Sequence, residues 1–303
     1  MDKLKQAWYG LKIDEALQKK REQEYEDFFC AIMEAIHADD FQKIKPAGSL
    51  GDGKADGYLQ SSKIVFQSYA PDTGFQKPKL LAKIKDNLPG AISQWGDRMD
   101  KWVLVHHDKE GLPKYALDKI AEFSQQHPQL EFTSWSPNII RSKALNLSEN
   151  KLIEIFGYAP SFDDINNLTH EPIKDLLKAI GESTAPIPVS FDPVSVLKLE
   201  FNSLSTDAEN LLIAGRRKEY LVGDLLSKWH DPSFGEDTSQ AFKARYTELK
   251  ELQMTPNEVF AELHKFAGGT VSNTALQASS LAVLSYFFER CDIFENPPAG
   301  WTR

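Results

Sequence analysis

The sequence predicts an α/β domain, with a mixed sheet flanked by helices, followed by a mainly α-helical domain. The chain has 303 residues, which exceeds the usual size of one domain. Up to about residue 145, segments with helical spacing of apolar residues alternate with segments of strand spacing. Beyond about 150, nearly all apolar residues recur at helical spacing. We therefore expect a sheet domain at 1–148, a connecting segment at 149–193 and a helical domain at 194–303.

The sheet domain is expected to begin with one long amphipathic helix at 12–37. Six apolar side chains form its stripe: Tyr25, Phe28, Phe29, Ile32, Met33 and Ile36. A loop rich in Gly and Asp follows at 46–57. The remaining expected elements are strands at 57–60 and 63–69, a helix at 77–96, a strand at 101–106, a helix at 113–126 and a strand at 130–135. This order indicates a central sheet with helices packed on it.

The second half carries the signals of a helical domain. A Pro-rich stretch at 185–193 precedes it. Helices are then expected at 206–229, 238–253, 256–267 and 273–291. The start at 256 has a physical signature, because Thr255 is a good N-cap, Pro256 suits the first helical position and Glu258 closes a capping box.

Composition narrows the class of protein. The hydrophobic fraction of 41% is that of a globular chain, and no run of 18 apolar residues predicts a membrane span. The N-terminus lacks the apolar region of a secretory signal, and two cysteines do not make a disulfide scaffold, so a reducing cytoplasm is expected. The net charge of −9 argues against a surface coated with basic groups but allows a local basic groove.

Acidic and amide side chains lie on the first two expected strands and on the helix before them. Asp56 opens the first expected strand, Gln67 lies near the middle of the second, and Glu26 lies on the preceding helix. Tyr69 is two residues beyond Gln67 and shares its side of the strand. Oxygen ligands of this kind suit Mg²⁺, which clamps a phosphate and acidifies a water molecule. The alternative is that Asp56 is only a turn residue, as we expect of Asp52, since Asp and Gly favour turns.

The ordered motifs YEDFF, GDGKADGY and VFQSY resemble the Mrr-like branch of the PD-(D/E)xK nuclease superfamily. That branch has a helix motif of this kind, then G-D-x-x-x-D-G and then Q-x-K, and the resemblance covers about residues 20–140. It implies a restriction-endonuclease-like sheet, DNA as substrate and Mg²⁺ (or Mn²⁺) as cofactor. Carried over by position, Glu26, Asp56 and Gln67 would be ligands of the metal or of its water.

Tyr69 departs from that pattern, because it stands where the family has its lysine. A tyrosine has an ordinary pKa near 10 and supplies no permanent positive charge. Lys54, Lys63 or Lys79 could fill the role from neighbouring segments, Tyr69 could position water or phosphate by hydrogen bonding, or the site could be inactive and kept for binding. Lys79 and Lys83, at i and i+4 of the same helix, are also candidates for the flank of a DNA groove.

The longer strings GDGKADGYL, FQSYAP and AVLSYFFERCDIFENP also resemble proteins encoded beside ABC-type ATPases in bacterial three-component conflict systems. This resemblance implies a Mg²⁺-dependent DNA endonuclease-like effector of antiphage defence, whose helical half docks an ATPase or another protein. The alternatives are a catalytically inactive adaptor and a nucleic-acid sensor that does not cut. A homo-oligomer is expected, since two strands of DNA need two sites.

Overall fold

The computed structural model describes residues 1–45, 53–181, 197–269, 273–290, 293–298 and 301. The N-terminal part of the predicted Gly/Asp loop, with Asp52, and the Pro-rich stretch at 185–193 lie outside these residues. The chain forms two compact units. We call Ile13–Ile155 the sheet unit, and Met1–Lys12 together with Phe156–Arg303 the helical unit. This confirms the predicted fold class: a mixed α/β part followed by a mainly helical one.

The sheet unit is built on five strands, which lie side by side in chain order. The strands are β1 (Phe41–Lys43), β2 (Gly57–Leu59), β3 (Ile64–Tyr69), β4 (Lys101–His106) and β5 (Glu131–Trp135). β1, β2 and β3 pair antiparallel, whereas β3, β4 and β5 pair parallel, so the sheet is mixed as predicted. The helices of this part are α1 (Lys3–Lys19, which runs across the boundary of the two units), α2 (Glu22–His37), α3 (Lys77–Trp95), α4 (Lys114–Gln126), α5 (Pro137–Leu145) and α6 (Glu149–Phe156).

Each face of the sheet buries its own apolar cluster. Val65 of β3 lies on the face covered by α3 and α4, where Leu80, Ile84 and Leu88 of α3 are fully buried. Phe66, the next residue, points to the opposite face and packs against Phe29 of α2 at a ring-centroid distance of 5.4 Å. Because side chains alternate along a strand, Gln67 and Tyr69 share the face of Val65. The functional side chains of β3 therefore lie on the α3 side.

The predicted helix at 12–37 is wrong in one respect: it is two helices. The break falls at Arg21 and Glu22, where Glu22 has a φ of +45° and its backbone N–H donates to the carbonyl of Ala70 at 2.8 Å. The run Lys19–Gln23 contains neither Gly nor Pro, so it carries no local stop signal. A tertiary contact with the chain after β3 accompanies the break instead.

The helical unit contains α7 (Phe162–Asn166), α8 (His170–Gly181), α9 (Leu197–Phe201), α10 (Thr206–Arg216), α11 (Glu219–Ser227), α12 (Phe234–Glu251), α13 (Pro256–Phe266) and α14 (Thr274–Glu289). α14 is buried along nearly its whole length, which makes it the centre of this unit. Gly215 of α10 allows a close approach, since a Cβ there would lie 2.2 Å from the backbone oxygen of Leu281. The prediction of a single helix at 206–229 is wrong in extent, because this segment forms two helices, α10 and α11.

Within the described ranges, no helix combines the length and the apolarity needed to cross a membrane.

Candidate functional site

Asp56 and Gln67 form a buried hydrogen-bonded pair at the start of β2 and the middle of β3. The Gln67 amide Nε2 donates to Asp56 Oδ2 at 2.7 Å, and the Ser68 backbone N–H donates to the same oxygen. Asp56 is 7% exposed and Gln67 is 2% exposed. The antiparallel pairing of β2 with β3 produces this contact, because it places Gly57 opposite Phe66 and so Asp56 beside Gln67. The structure thus brings two predicted site residues together.

Tyr69 ends β3 on the same face as Gln67. Its ring stacks on Phe75 with a centroid distance of 5.8 Å and an interplanar angle of 8°. Burial raises the pKa of the Tyr69 phenol, and the negative charge of Glu22 adds to that increase. Tyr69 is therefore neutral at physiological pH, and its hydroxyl is a hydrogen-bond donor rather than a charged group.

A pocket of about 580 Å³ lies beside Tyr69 and joins it to three of the predicted lysines. Lys79 and Lys83 line the pocket from α3, and Lys54 lines it from the turn before β2. The lysines at 79 and 83, together with Asn87, occupy positions i, i+4 and i+8 and so form one face of α3. The apolar residues at 80, 84 and 88 occupy the adjacent stripe and are buried against the sheet. α3 consequently presents a polar face to the pocket while its neighbouring face holds the core.

The pocket also contains acidic side chains, so its electrostatics are mixed. Its acidic lining residues are Glu22, Asp72 and Asp86. Three lysines and three carboxylates at one pocket favour a ligand that carries both an anionic group and a bound cation, or that is only partly charged. A phosphate with a divalent metal ion is such a ligand.

Glu26 reaches the site from α2, whereas Asp56 and Gln67 belong to the sheet. It is on α2, which packs on the opposite face of the sheet, and its carboxylate accepts a hydrogen bond from Gln23 at 3.0 Å. Cys30, one turn later on α2, approaches the backbone oxygen of Asp56 at 3.7 Å. Burial raises the pKa of the Cys30 thiol, and the negative charges of Glu26 and Asp56 add to that increase. Cys30 on α2 is therefore near both carboxylates.

The donor set of the pair fits a hard divalent cation in its chemistry. Asp56 offers a carboxylate and Gln67 a carboxamide oxygen, and Mg²⁺ keeps several water ligands beside one or two protein oxygens. In this structure the amide nitrogen of Gln67 faces Asp56, so shared coordination requires the amide to turn over. In the described part of the chain, no group of three or more His, Cys, Asp and Glu side chains is arranged to hold a metal ion.

Sequence reasoning missed three groups of this site. Asn87 is only 7% exposed. Its position beside the apolar stripe of α3 is visible in the sequence and could have indicated a buried polar residue. Glu22 lines the pocket because the turn before α2 brings it there, which no local pattern indicates. The Ser68 N–H is a backbone group that becomes a donor to Asp56 only through the strand pairing.

His106 ends β4 opposite Tyr69 of β3, and His107 is the next residue. His106 is 1% exposed, and burial lowers the pKa of its ring from 6.5 to about 4. Its carbonyl oxygen accepts a hydrogen bond from the Tyr25 hydroxyl at 2.6 Å, and its ring meets the edge of Phe75. These contacts make His106 a neutral packing residue.

The sheet unit is a mixed α/β unit with a buried carboxylate–amide pair and a lysine-lined pocket, and the other unit is helical. Tyr69, two residues beyond Gln67 on β3, lines the pocket, whereas Asp56 and Gln67 are not among its lining residues. Residues 171–295 match the family described as C-terminal domain 10 of the ABC-three component (ABC-3C) systems. The match covers less than half of the chain and lies in the helical unit. It supports the resemblance to components of ABC three-component systems. No curated protein and no solved structure matches this chain.

Proposed function

We propose that the chain is the effector component of an ABC three-component antiphage system and that its sheet unit hydrolyses phosphodiester bonds of DNA with Mg²⁺ (or Mn²⁺). The observation that carries this proposal is the pocket in which Lys54, Lys79 and Lys83 lie with Tyr69. The Mrr-like pattern has a lysine at the position of Tyr69, and this pocket supplies lysines from the preceding turn and from α3.

The residues have distinct roles in this proposal. Asp56 and Gln67 would hold the metal ion or its water, with Glu26 as the third predicted ligand. A divalent ion held there would supply Lewis-acid polarisation of the phosphate and a water of lowered pKa. Lys79 and Lys83 bind the phosphate backbone, and Lys54 neutralises the charge that develops during hydrolysis. The neutral Tyr69 hydroxyl donates a hydrogen bond to a phosphate oxygen.

The helical unit has a separate role in the proposal. The family match lies in this unit, and its name refers to a C-terminal domain of a multi-component system. We therefore propose that the helical unit docks another component, such as an ABC-type ATPase, and that the sheet unit is the part that acts on DNA. The expected homo-oligomer stays a proposal.

A second candidate function is a binding protein of the same system that does not cut. The observation in its favour is the Asp56 carboxylate, one oxygen of which already takes hydrogen bonds from Gln67 and from the Ser68 N–H. A carboxylate satisfied in this way contributes to the stability of the sheet without a metal ion. The chain would then be an adaptor or a nucleic-acid sensor.

Cleavage assays with three variants test these functions. The full-length protein, alone and with a co-encoded ATPase, is incubated with labelled single-stranded and duplex DNA in Mg²⁺, Mn²⁺ or Ca²⁺. We expect Mg²⁺-dependent cleavage that falls at least about 100-fold in Asp56→Asn and about 10- to 100-fold in Lys83→Ala. Lys85→Ala, an exposed α3 lysine outside the pocket lining, is the matched control and should stay close to wild type.

The possible outcomes separate the candidates. Cleavage that is unchanged in Asp56→Asn would show that the nuclease activity, if present, is not at this site. DNA binding that depends on Lys83 without cleavage under any of these conditions would replace the nuclease with the non-cutting sensor. If the protein neither binds nor cleaves DNA, the adaptor is the remaining candidate.

A further inference from the structure

We infer that Gly90 and Trp95 of α3 are positioning residues that direct the Lys54 side chain into the pocket. The inference deepens the proposed function, because it explains how a lysine outside β3 reaches the site. It rests on the proposed function only for the role of the Lys54 ammonium group, which is to neutralise charge during hydrolysis. The contacts that hold the side chain are independent of that task.

Gly90 makes room for the stem of Lys54. A Cβ built on Gly90 would lie 2.7 Å from Lys54 Cγ and 3.6 Å from both Cδ and Cε. The first distance is far below a normal carbon–carbon contact, and Cγ is near the base of the side chain, so the whole side chain would have to move. The stem of Lys54 therefore lies across α3 at a point where only glycine allows it.

Glycine at this position has a cost for the helix. Gly90 follows Pro89 inside α3, and both residues are unfavourable in a helix interior. Gly90 lies three residues after Asn87 and seven after Lys83, so it continues the polar face of α3 that lines the pocket. The helix is thus weakest where the Lys54 stem crosses that face.

Trp95 holds the backbone of the turn that carries Lys54. Its indole Nε1 donates to the carbonyl oxygen of Gly53 at 2.9 Å. The indole ring is itself held by Tyr58 of β2, at a centroid distance of 4.5 Å, and by the Arg98 guanidinium at 5.1 Å. The turn before Asp56 is therefore anchored to the C-terminal end of α3.

The backbone of Lys54 shows that this placement is imposed on it. Lys54 has a φ of +57° directly after Gly53 at +66°. A left-handed conformation is unfavourable for a lysine and is retained where surrounding contacts hold it. The positive φ and the indole hydrogen bond fix the backbone at Gly53 and Lys54, and Gly90 leaves room for the Lys54 side chain. Together they bring Lys54 to the pocket that Lys79 and Lys83 line from α3.

A double-mutant cycle tests the Gly90 contact by stability. Gly90→Ala and Lys54→Ala are made singly and together, and thermal unfolding of the full-length chain is followed by circular dichroism. We expect Gly90→Ala to lower the Tm of the wild type, because the new methyl group meets Lys54. In the Lys54→Ala background the same change should raise the Tm by about 3 °C, because alanine favours the helix. An equal fall in Tm in both backgrounds would overturn the inference.

DNA binding tests the positioning role, with a labelled oligonucleotide and fluorescence anisotropy. Gly90→Ala should weaken binding as much as Lys54→Ala does, about tenfold, and the double variant should be no weaker. Trp95→Phe removes the indole donor but keeps a ring against Tyr58, and it should weaken binding while changing the Tm little. Gly235→Ala, a helical glycine with ordinary space around it, is the control and should leave binding unchanged.

A spectroscopic readout separates this inference from the proposed function. Lysines are dimethylated with ¹³C-formaldehyde, and the NMR signal of Lys54 is assigned from its absence in Lys54→Ala. Gly90→Ala and Trp95→Phe should shift the Lys54 signal and leave that of Lys85 in place, whether or not the protein binds DNA. A Lys54 signal unmoved in both variants would overturn the inference even if DNA is cleaved.

Discussion

At the scale of single residues, the site depends on how Asp56 and Gln67 share one hydrogen bond. The bond joins a carboxylate to a neutral amide, both nearly excluded from solvent. A second carboxylate at position 67 would place two negative charges at this distance, and such a pair is unfavourable unless a cation or a proton lies between them. Position 67 therefore decides how strongly this pair depends on a metal ion.

Replacing Gln67 with Glu tests that dependence. Without divalent ions, Gln67→Glu should lower the free energy of unfolding by about 2 kcal/mol at neutral pH, through charge repulsion and the lost amide donor. Mg²⁺ should raise the Tm of Gln67→Glu more than that of the wild type, because a ligand of the folded state stabilises it by mass action. Differential scanning calorimetry with and without Mg²⁺ measures both effects.

The double variant Asp56→Asn/Gln67→Glu is the control for this experiment. It retains one carboxylate and removes the pair, so Mg²⁺ should have little effect on it. An equal response of Gln67→Glu and the double variant to Mg²⁺ would contradict a metal site at this pair.

The buried ring of His264 on α13 is expected to make the protein less stable in mild acid. The ring is buried, and its Nε2 lies 3.0 Å from the Ser280 hydroxyl oxygen. Burial lowers the pKa of the ring from 6.5 to about 3. Below pH 6.5 the unfolded chain takes up a proton at His264 that the folded chain does not. Stability at this residue is therefore complete above pH 6.5 and falls as the pH drops from 6.5 toward 3.

Urea unfolding at pH 7 and at pH 5 measures this loss. The free energy of unfolding of the helical unit should fall by about 2 kcal/mol between these values, and less in His264→Gln, which does not titrate. The range stays above the ordinary pKa values of carboxyl groups, and the comparison with His264→Gln isolates the contribution of His264. An unchanged pH dependence in His264→Gln would contradict the assignment.

At the scale of secondary structure, α3 and α13 show two different relations between sequence and structure. α13 begins where local signals place it, since Thr255 caps the helix and Glu258 completes a capping box. α3 also has predictable bounds, but its function depends on which neighbour meets each of its faces. One face holds the core of the sheet unit, and the adjacent face lines the pocket.

Thr255→Ala tests the local signal. The Thr255 hydroxyl accepts a hydrogen bond from the Glu258 backbone N–H, and the Glu258 carboxylate accepts bonds from the Thr255 N–H and hydroxyl. Loss of the cap should lower the free energy of unfolding of the helical unit by about 1 kcal/mol. Thr255→Ser, which keeps the hydroxyl, should stay near wild type in the same urea titration. Equal losses in the two variants would show that the hydroxyl does not matter.

At the scale of the whole molecule, the first twelve residues group with the distant C-terminal part of the chain. Trp8 is fully buried and meets the edge of the His264 ring at a centroid distance of 5.0 Å, and the Tyr9 hydroxyl donates to the Gly157 carbonyl at 3.1 Å. The helical unit is thus discontinuous in sequence. The domain boundaries expected from composition, at 148 and 194, stay predictions about which segments fold on their own.

Trp8→Ala tests the discontinuous unit. Removing this buried ring should destabilise the helical unit by about 3–5 kcal/mol. Hydrogen exchange should therefore become faster in α13 and α14 and stay unchanged in β3 and β4. Trp8→Phe is the conservative control, with a smaller effect in the same helices. Faster exchange confined to the strands would contradict the grouping.

The sequence by itself determined those features that depend on neighbours along the chain. Strand and helix periodicity indicated β3, β4, α3 and α4, and the capping box indicated α13. The order of Asp56 and Gln67 on adjacent strands indicated a shared face, which the pair confirms. Local patterns suffice here because alternation and helical spacing are properties of a single segment.

Only the tertiary structure decided the features that join distant segments. The first predicted helix is interrupted where Glu22 contacts Ala70, and residues 1–12 group with the helical unit. The side chain of Lys54 lies against Gly90 and lines the same pocket as the lysines of α3. The physical reason is that each of these contacts depends on shape and packing between elements, where a side chain has room or is excluded. Lys54 lies three residues before β2 and Gly90 lies in a later helix, and no local sequence pattern indicates that the two residues meet.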